Sequence, residues 1–530
     1  MSQREQRWWE DVSSYRSFAH ADPASPTSDL EIAQLPNRDV EEGRTSRDAL
    51  TPVRNDGEKD DPNIITWEDE QDPMNPLNWT KRKKWTATLL VSCFTFISPF
   101  SSTMIAPSLE VIGDQFDIES EVEQAFVMSI FLLAFALGPF VLGPLSEIFG
   151  RVVILQTSNL LFLVFNTACG FAQTKQQMLA FRFLSGLGGS APQALGGGVL
   201  SDCWRAEERG KAVAMYSLAP FIGPAVGPIV GGLVTEHTTW RWVFWSVSIA
   251  DFIIQIMATA WLRETYAPAI LAKKVDKLRK STGDQSLRTK WQNPDHSLAK
   301  ILRTNLVRPF IMLGTQPVIQ IMALYRAYLY GVMYLVLSTF ALVFEDQYDM
   351  SLTMSSLNYL SLGIGFVIGL QICAPLNDRI YIYLKRKHNV STGVPEYRIP
   401  LILPSTILTP VGLALYGWAA STDPAVHFLV PNVGAAIFAC GLIMAFQCAQ
   451  AYVVDAYTTY AASATGAAAF LRTMAGFSFP LFAPRLYDGL GLGVGNGVLA
   501  GVSAVVGVAV GWGFWKRGAW LRARSGYCAG

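Results

Sequence analysis

The sequence predicts an all-α integral membrane protein with twelve transmembrane helices in two six-helix pseudo-repeat bundles. Three observations carry this expectation. The 530 residues are 51% hydrophobic and only 16% charged, and the apolar residues gather into runs of about 20, the length of helix that crosses a hydrocarbon core. Lys and Arg accumulate in alternate connections between the runs, the asymmetry that places the basic side in the cytoplasm. Finally, short acidic motifs recur at matching positions in the first six and the last six runs, which suggests a parallel internal repeat.

Residues 1–80 mix Ser, Pro, Asp, Glu and Arg with little periodicity and are expected to form a disordered cytoplasmic tail. The start, MSQREQRWWEDV, lacks the apolar core of a cleavable signal, so the first apolar run is expected to direct insertion. The stretch WEDEQDPMNPLNWTKRKKW (67–85) is richer in Trp and Pro and is expected to pack on the membrane face. An N-terminal bundle over 81–262 then contains runs at 86–106, 124–142, 152–172, 178–200, 212–234 and 241–262. A linker over 263–309, containing AKKVDKLRKSTG, is expected to lie as an amphipathic helix on the cytoplasmic membrane surface. A C-terminal bundle over 310–516 contains runs at 318–343, 356–376, 399–419, 428–450, 464–485 and 494–515, and 517–530 is a second cytoplasmic tail.

The basic connections are TKRKK (80–84), Arg151, WRAEERGK (204–211), the linker, RIYIYLKRK (379–387) and KRGAWLRAR (516–524). The opposite connections include the acidic VIGDQFDIESEVEQ (111–124) and FEDQYDMS (344–351). Both termini are therefore expected in the cytoplasm. The plasma membrane is the expected location, with the vacuolar membrane as the alternative. The sequons at Asn78 and Asn389 fall on the cytoplasmic side and are expected to go unused.

Composition and motif content exclude several functions. Forty-two Lys and Arg balance 42 Asp and Glu, so no bulk charge draws the chain to nucleic acid. The seven cysteines show no CxxC or CxxH spacing and read as small buried hydrophobes, with no metal site. There is no phosphate-binding P-loop for direct ATP drive, and GLGLGVGNG (489–497) has no lysine to serve one. None of the five histidines has the HxxxxD spacing of an acyltransferase. No cofactor is expected. The expected partners are a small-molecule substrate, protons and the lipid bilayer, and the chain is expected to act as a monomer.

The repeated motifs carry charge. PLSE (144–147) follows the second run and PLND (375–378) the eighth; VLSD (199–202) follows the fourth and VVD (453–455) the tenth. In GPLSEIFGR (143–151), Gly143 and Gly150 punctuate a turn between Glu147 and Arg151. An acid and a base in such a connection can latch two bundles together on one face. Glu147 can accept from a helix N-terminus and from Arg151, with Asp378 at the matching place in the second half. In GPAVGPIVGG (223–232), Gly223, Gly227 and Gly231 stand four apart and form a smooth stripe for close helix contact, and Gly365 and Gly369 offer the same spacing on the eighth run. Pro224 and Pro228 bend the fifth run.

Charges inside a membrane cost about 2.5–3.5 kcal/mol on insertion scales, so each needs a reason. Arg182, near the outer end of the fourth run, either snorkels or serves coupling. Arg326 stands among Tyr325, Tyr328, Tyr330 and Tyr334, a group that either lines a site for planar or cationic molecules or forms an interfacial belt. Asp251 in the sixth run and Arg472 in the eleventh complete the set.

GPLSEIFGR resembles the loop signature of the major facilitator superfamily. RFLSGLGGSAPQALGGGVLSD (182–202) resembles its fourth-span motif, and GPAVGPIVGG the fifth-span motif of its drug:proton antiporters. DPMNPLNWTKRKKW, WRWVFW (240–245), LRETYAPAILAKK (262–274) and PEYRIP (395–400) look like its fungal twelve-span multidrug and polyamine branch. The resemblance extends over 67–525 and implies the major facilitator fold. It implies a loop that stabilises the outward-open state, although Glu147 stands where Asp is commoner and Ile148 where Arg is usual. It implies that Gly223, Pro224, Gly227, Pro228, Gly231 and Gly232 seal the bundle interface and favour antiport. It also implies roles for Arg182, Asp202, Asp455 and Arg472 in proton coupling or conformational change. Gln193, Gln447, Gln450 and Tyr452 fall on spans that line the cavity in this superfamily, and Tyr325 and Arg326 join them as substrate candidates. The expected function is proton-coupled efflux of small organic molecules such as drugs, toxins, polyamines or secondary metabolites. Uptake by symport or facilitation is the alternative.

Overall fold

In lipid a backbone must satisfy its own polar groups, and the apolar runs accordingly fold as helices. The computed structural model describes residues 63–528 except 70, 206–207, 291–297, 391–392, 423–425 and 459, and over 298–305 it describes the backbone alone. The first half contains α1 (Lys81–Met104), α2 (Leu109–Gln115), α3 (Glu121–Phe149), α4 (Arg151–Cys169), α5 (Lys175–Gly189), α6 (Ala191–Cys203), α7 (Gly210–His237) and α8 (Arg241–Trp261). The linker region holds α9 (Ala267–Thr282) and α10 (Leu298–Thr315). The second half contains α11 (Pro317–Tyr348), α12 (Leu352–Leu357), α13 (Tyr359–Lys387), α14 (Ile402–Ala420), α15 (Leu429–Ala456) and α16 (Ala461–Ala523).

Ten helices among the described residues are long and apolar enough to cross a membrane. Two local geometries separate that number from the twelve apolar runs. Pro192, near the start of α6, has no N–H for the Gly188 carbonyl. The fourth run therefore breaks at Ser190 into α5 and α6, of 15 and 13 residues. The eleventh and twelfth runs instead join in the 63-residue α16, interrupted at Gly491, where φ 73° and ψ 163° lie in a region open essentially to glycine alone. Tyr487 donates across that interruption to Asn496 at 3.1 Å. On α8, Ile249, Phe252, Ile253 and Ile256 are exposed while Ser248 and Asp251 are buried. An outward apolar surface around an inward polar stripe suits lipid rather than water.

Within the first half, α1 packs on α7, α3 on α5, and α4 on both α5 and α8. Within the second, α14 packs on α15 and α16, α13 on α15, and α11 on α16. The halves meet where α7 touches α13 and where α3 touches α16.

Two expectations need correction. GPLSEIFGR is not a turn from Gly143 onward: α3 continues through Gly143 and Pro144 to Phe149, and only Gly150, at φ 96°, ends it. Gly-Pro reads as turn punctuation in water, but a proline inside a packed membrane helix is tolerated because neighbours satisfy the freed backbone groups. The tail expected over 1–80 is structured in its described part. Ile64–Ile65 pairs in parallel with Arg288–Thr289, Lys274 bonds Glu68 at 2.8 Å, and Pro76–Asn78 forms a 3-10 turn. The remainder, residues 1–62, lies outside the described residues. The linker helix α9 ends at Gly283, in the left-handed region at φ 72°, with Arg279 and Lys280 in its last turn opposite the negative helix end.

Candidate functional site

The geometry of one basic end is built from sequence-distant pieces. Gly150 turns the chain sharply, so the first amides of α4 emerge beside Glu264, just past α8. One Glu264 oxygen accepts from Arg151 N–H at 3.0 Å and the other from Val152 N–H at 3.2 Å. The first oxygen also accepts from Thr265 and Tyr266 N–H at 3.1 and 3.0 Å. A carboxylate at a helix N-terminus is stabilised by the free N–H groups and by the helix dipole. A Cβ at position 150 would press on this carboxylate, so Gly150 is needed for space as well as for its positive φ. The Arg151 side chain reaches Asp202, at the end of α6, with Nε to Oδ2 at 2.7 Å; Thr265 donates to the same oxygen at 3.3 Å. The Arg151 guanidinium lies 5.0 Å from the Tyr266 ring. Burial, and then the nearby Glu147 charge, push the Tyr266 phenol up to about 12. Glu147 is exposed beside this group. The carboxylate on the α4 terminus is thus that of Glu264, not Glu147 as the sequence suggested.

The second half repeats the plan. Arg398, in the 3-10 turn Pro395–Arg398 before α14, binds Asp455 at the end of α15 through Nε at 2.8 Å. Its Nη1 binds Asp378 at 2.6 Å, and its guanidinium stacks 4.3 Å from the Tyr381 ring. Arg151–Asp202 and Arg398–Asp455 occupy corresponding places, joining the start of the third or ninth run to the end of the fourth or tenth. The second half adds Glu396, bound by Arg522 Nε at 2.9 Å and by the Tyr452 hydroxyl at 3.3 Å. Tyr452 is thereby committed to this charged cluster and to the Phe514 ring, 5.1 Å away.

The bonds just given for Arg151 and Arg398 each stay within one half. Among the described residues, aromatic rings join the halves at this basic end. Phe140 of α3 lies 4.9 Å from Phe310 of α10 and 5.5 Å from Phe470 of α16. At the opposite end a Cβ on Gly232 would run into Ser356, and Glu236 of α7 accepts from the Thr353 amide of α12. Ser102 of α1 and Tyr334 of α11 share a hydrogen bond at 3.1 Å.

The glycine stripe faces α1. A Cβ at Gly223 would sit 3.0 Å from the Phe96 carbonyl oxygen, and one at Gly227 would sit 2.6 Å from that of Phe100. Gly231 meets the Met104 carbonyl in the same way. Gly365 and Gly369 pack on the α15 backbone at Ala436 and Cys440. Spacing identified two smooth faces, and each lies against a neighbour in its own half. Only Gly232, one step off the stripe, presses on the other half. Pro224 and Pro228 lie inside α7, and the Pro224 carbonyl accepts from Thr103 at 3.3 Å. A Cβ at Gly143 would meet nothing within 4 Å, so that glycine answers no steric need here.

Arg182 is fully buried and does not snorkel. Its guanidinium donates to the carbonyls of Ser101, Ser102 and Val127 at 3.4 Å and of Met128 at 3.5 Å, over the Phe131 ring at 4.8 Å. It ties α5 to α1 and α3. Asp251 accepts at 3.1 Å from Asn159, pinning α8 to α4. Tyr328 donates to the Leu499 carbonyl at 2.6 Å, facing the last part of α16, and Tyr325 is buried beside Ser405 of α14. Tyr330 and Tyr334 instead lie together, 4.9 Å apart, next to Arg472. Arg326 and Arg472 converge on one ring, Phe446, at 4.3 and 5.7 Å. Gln193, Gln447 and Gln450 are half-buried on α6 and α15.

Comparison with known proteins gives a consistent result. The family model described as Major Facilitator Superfamily matches residues 91–480. The chain is 46% identical to the efflux pump vrtL of Penicillium aethiopicum, over 93% of this chain and 96% of that one. It is 38% identical to the efflux pump radE of Floropilus chiversii, over 90% of this chain and 88% of that one. Among solved structures it superposes on the xylose transporter XylE of E. coli with TM-score 0.58 at 14% identity, covering 82% and 99% of the two chains.

Proposed function

The chain belongs to the Major Facilitator Superfamily, and on that premise we propose that it is a proton-coupled antiporter that exports small organic molecules by rocking two six-helix bundles, 81–262 and 310–516, about a central site. It is a multi-pass membrane transporter of small molecules, as its relatives are. The proposal adds twelve crossings, cytoplasmic termini and linker, a plasma-membrane location, and proton exchange. The single observation that carries it is the repeated ion pair, Arg151–Asp202 in one half and Arg398–Asp455 in the other. Each pair locks two helix ends of its own half, so each half can move as a rigid unit. The halves meet at that end through Phe140, Phe310 and Phe470, and apolar contacts of this kind part without leaving a buried ion unpaired.

The efflux-pump relatives favour export over uptake. Export against a gradient without a nucleotide-binding motif requires an ion gradient, and protons are the proposed ion. Arg182 cannot release a proton at physiological pH. Its four carbonyl bonds make it a positioning residue that holds α5 against α1 and α3. A strain lacking the chain should accumulate one or more compounds from a panel of drugs, polyamines and fungal metabolites, and re-expression should restore their export. A deletion strain with unchanged accumulation across the panel would contradict export.

A further inference from the structure

Two guanidinium groups in the second half lack the counter-charge that buried ions ordinarily need. Arg326 on α11 is 2% exposed, and its Nε and Nη1 have no hydrogen-bond partner. The buried Nε of Arg472 on α16 has none either. Among the described residues, no carboxylate forms an ion pair with either arginine. Their nearest cushions are rings: Phe446 lies under both guanidiniums, and Tyr330 lies 4.9 Å from that of Arg472.

This pair sits where the halves meet. Phe446 touches Phe221 of α7 at 5.7 Å, and Tyr334, beside Tyr330, bonds Ser102 of α1. An isolated buried charge is strongly disfavoured, two like charges sharing one ring more so, and arginine does not escape by losing its proton. Arg182 provides the contrast within the same chain: buried like Arg326, it is satisfied by four carbonyls. The Nε and Nη1 of Arg326 and the Nε of Arg472 are therefore unspent donors.

We propose that Arg326 and Arg472 form the subsite for the anionic group of the transported molecule, a carboxylate or phenolate on a planar aromatic body that stacks among Phe446, Tyr330 and Tyr334. The planar guanidinium fork matches a carboxylate by paired N–H donors. This deepens the export reading and rests on it for the direction of movement. It reverses the charge preference that a tyrosine cluster alone suggests, since the rings here are already occupied by the protein's own cations.

The test uses the full chain, purified in neutral detergent, and three probes of one shape: 2-naphthoate, 2-naphthamide and 2-naphthylmethylammonium. Binding is read by thermal stabilisation. The expected result is that 2-naphthoate binds about tenfold or more tightly than the amide, with the ammonium weakest. Arg326→Gln and Arg472→Gln should each remove the anion preference while keeping amide binding, and Arg472→Lys should restore part of it. The unliganded Gln variants should melt no lower than the parent, because the buried charge of Arg326, or the half-buried charge of Arg472 with its unpartnered Nε, has been removed. Equal binding of the three probes, tightest binding of the ammonium, or no binding of 2-naphthoate at millimolar concentration would each overturn the subsite. So would a large loss of unliganded stability in both Gln variants without a change in preference, the mark of a packing role. Cellular export of the same probes separates the two proposals. Export of amide or ammonium but not naphthoate sinks the subsite and leaves export standing. Arginine-dependent naphthoate binding without export of any probe leaves the subsite standing and sinks the export reading.

Discussion

Replacing Glu264 by Gln distinguishes the geometry found here from the one the linear sequence suggests. The Gln amide oxygen can take over the role of one Glu264 oxygen and still accept from Arg151, Thr265 and Tyr266. The amide nitrogen then faces the Val152 N–H, donor against donor, where an oxygen accepted at 3.2 Å. Leaving one buried N–H without an acceptor costs about 1–3 kcal/mol. Losing the negative charge at the α4 terminus costs about 0.3–1 kcal/mol more. Glu264→Gln should therefore cost about 1–4 kcal/mol locally, a drop of a few degrees in melting temperature for a chain this large. Glu147→Gln should cost about 0–1 kcal/mol of stability, because exposed charge pairs contribute little. It should nonetheless reduce transport if the charge acts as the basic end opens and closes. Fluorescence-monitored melting of the detergent-purified variants, beside export of one substrate, measures both. If Glu264→Gln melts with the parent and Glu147→Gln is the variant that falls, the assignment of the helix-capping carboxylate is wrong.

The duplicated ion pairs should respond unequally. Asp202 is 5% exposed and Asp455 29%, and Arg398 keeps Asp378 when Asp455 is lost. Asp202→Asn should then destabilise by about 3–5 kcal/mol and Asp455→Asn by clearly less, read by the same melting assay; equal losses would contradict the pairing. Gly227→Leu should disrupt the contact of α7 with the Phe100 carbonyl and abolish transport, whereas Leu at the half-buried Val226 should be mild. Overpacking of this kind costs about 1–3 kcal/mol or more, and similar transport in the two variants would show that the stripe is not the contact surface. A cysteine introduced at the exposed Ser281 of α9 should resist an impermeant maleimide in intact cells and react after permeabilisation; labelling in intact cells would invert the proposed orientation.

The apolar runs were readable because lipid-crossing helices are specified by composition over about 20 residues rather than by any partner. Departures from them arose where one residue's backbone decides the path. Pro192 divides the fourth run and Gly491 bends the last helix, while Pro144 does not stop α3. The acids at the basic end were legible as a repeated motif, and the structure joins Asp202 to Arg151 and Asp455 to Arg398. Glu264 was not, because its role depends on a contact 113 positions back along the chain; the only signal was its place inside LRETYAPAILAKK. Glycine spacing revealed a smooth face on α7 but no partner, since spacing describes one helix and packing needs two. The sequence set Arg326 among four tyrosines, and its guanidinium lies over the Phe446 ring instead. Its approach to Arg472, 146 residues later by number, and the lack of an acid between them follow only from the packed chain.

The central claim is that substrate leaves the cell in exchange for protons entering it. Its direct test is uptake into inside-out vesicles, where the lumen stands for the cell exterior, using a compound to which cells lacking the chain become sensitive. An acid lumen should accelerate accumulation, accumulation should alkalinise the lumen, and a protonophore should abolish both. Substrate and protons moving in the same direction, or accumulation indifferent to the pH gradient, would contradict that claim.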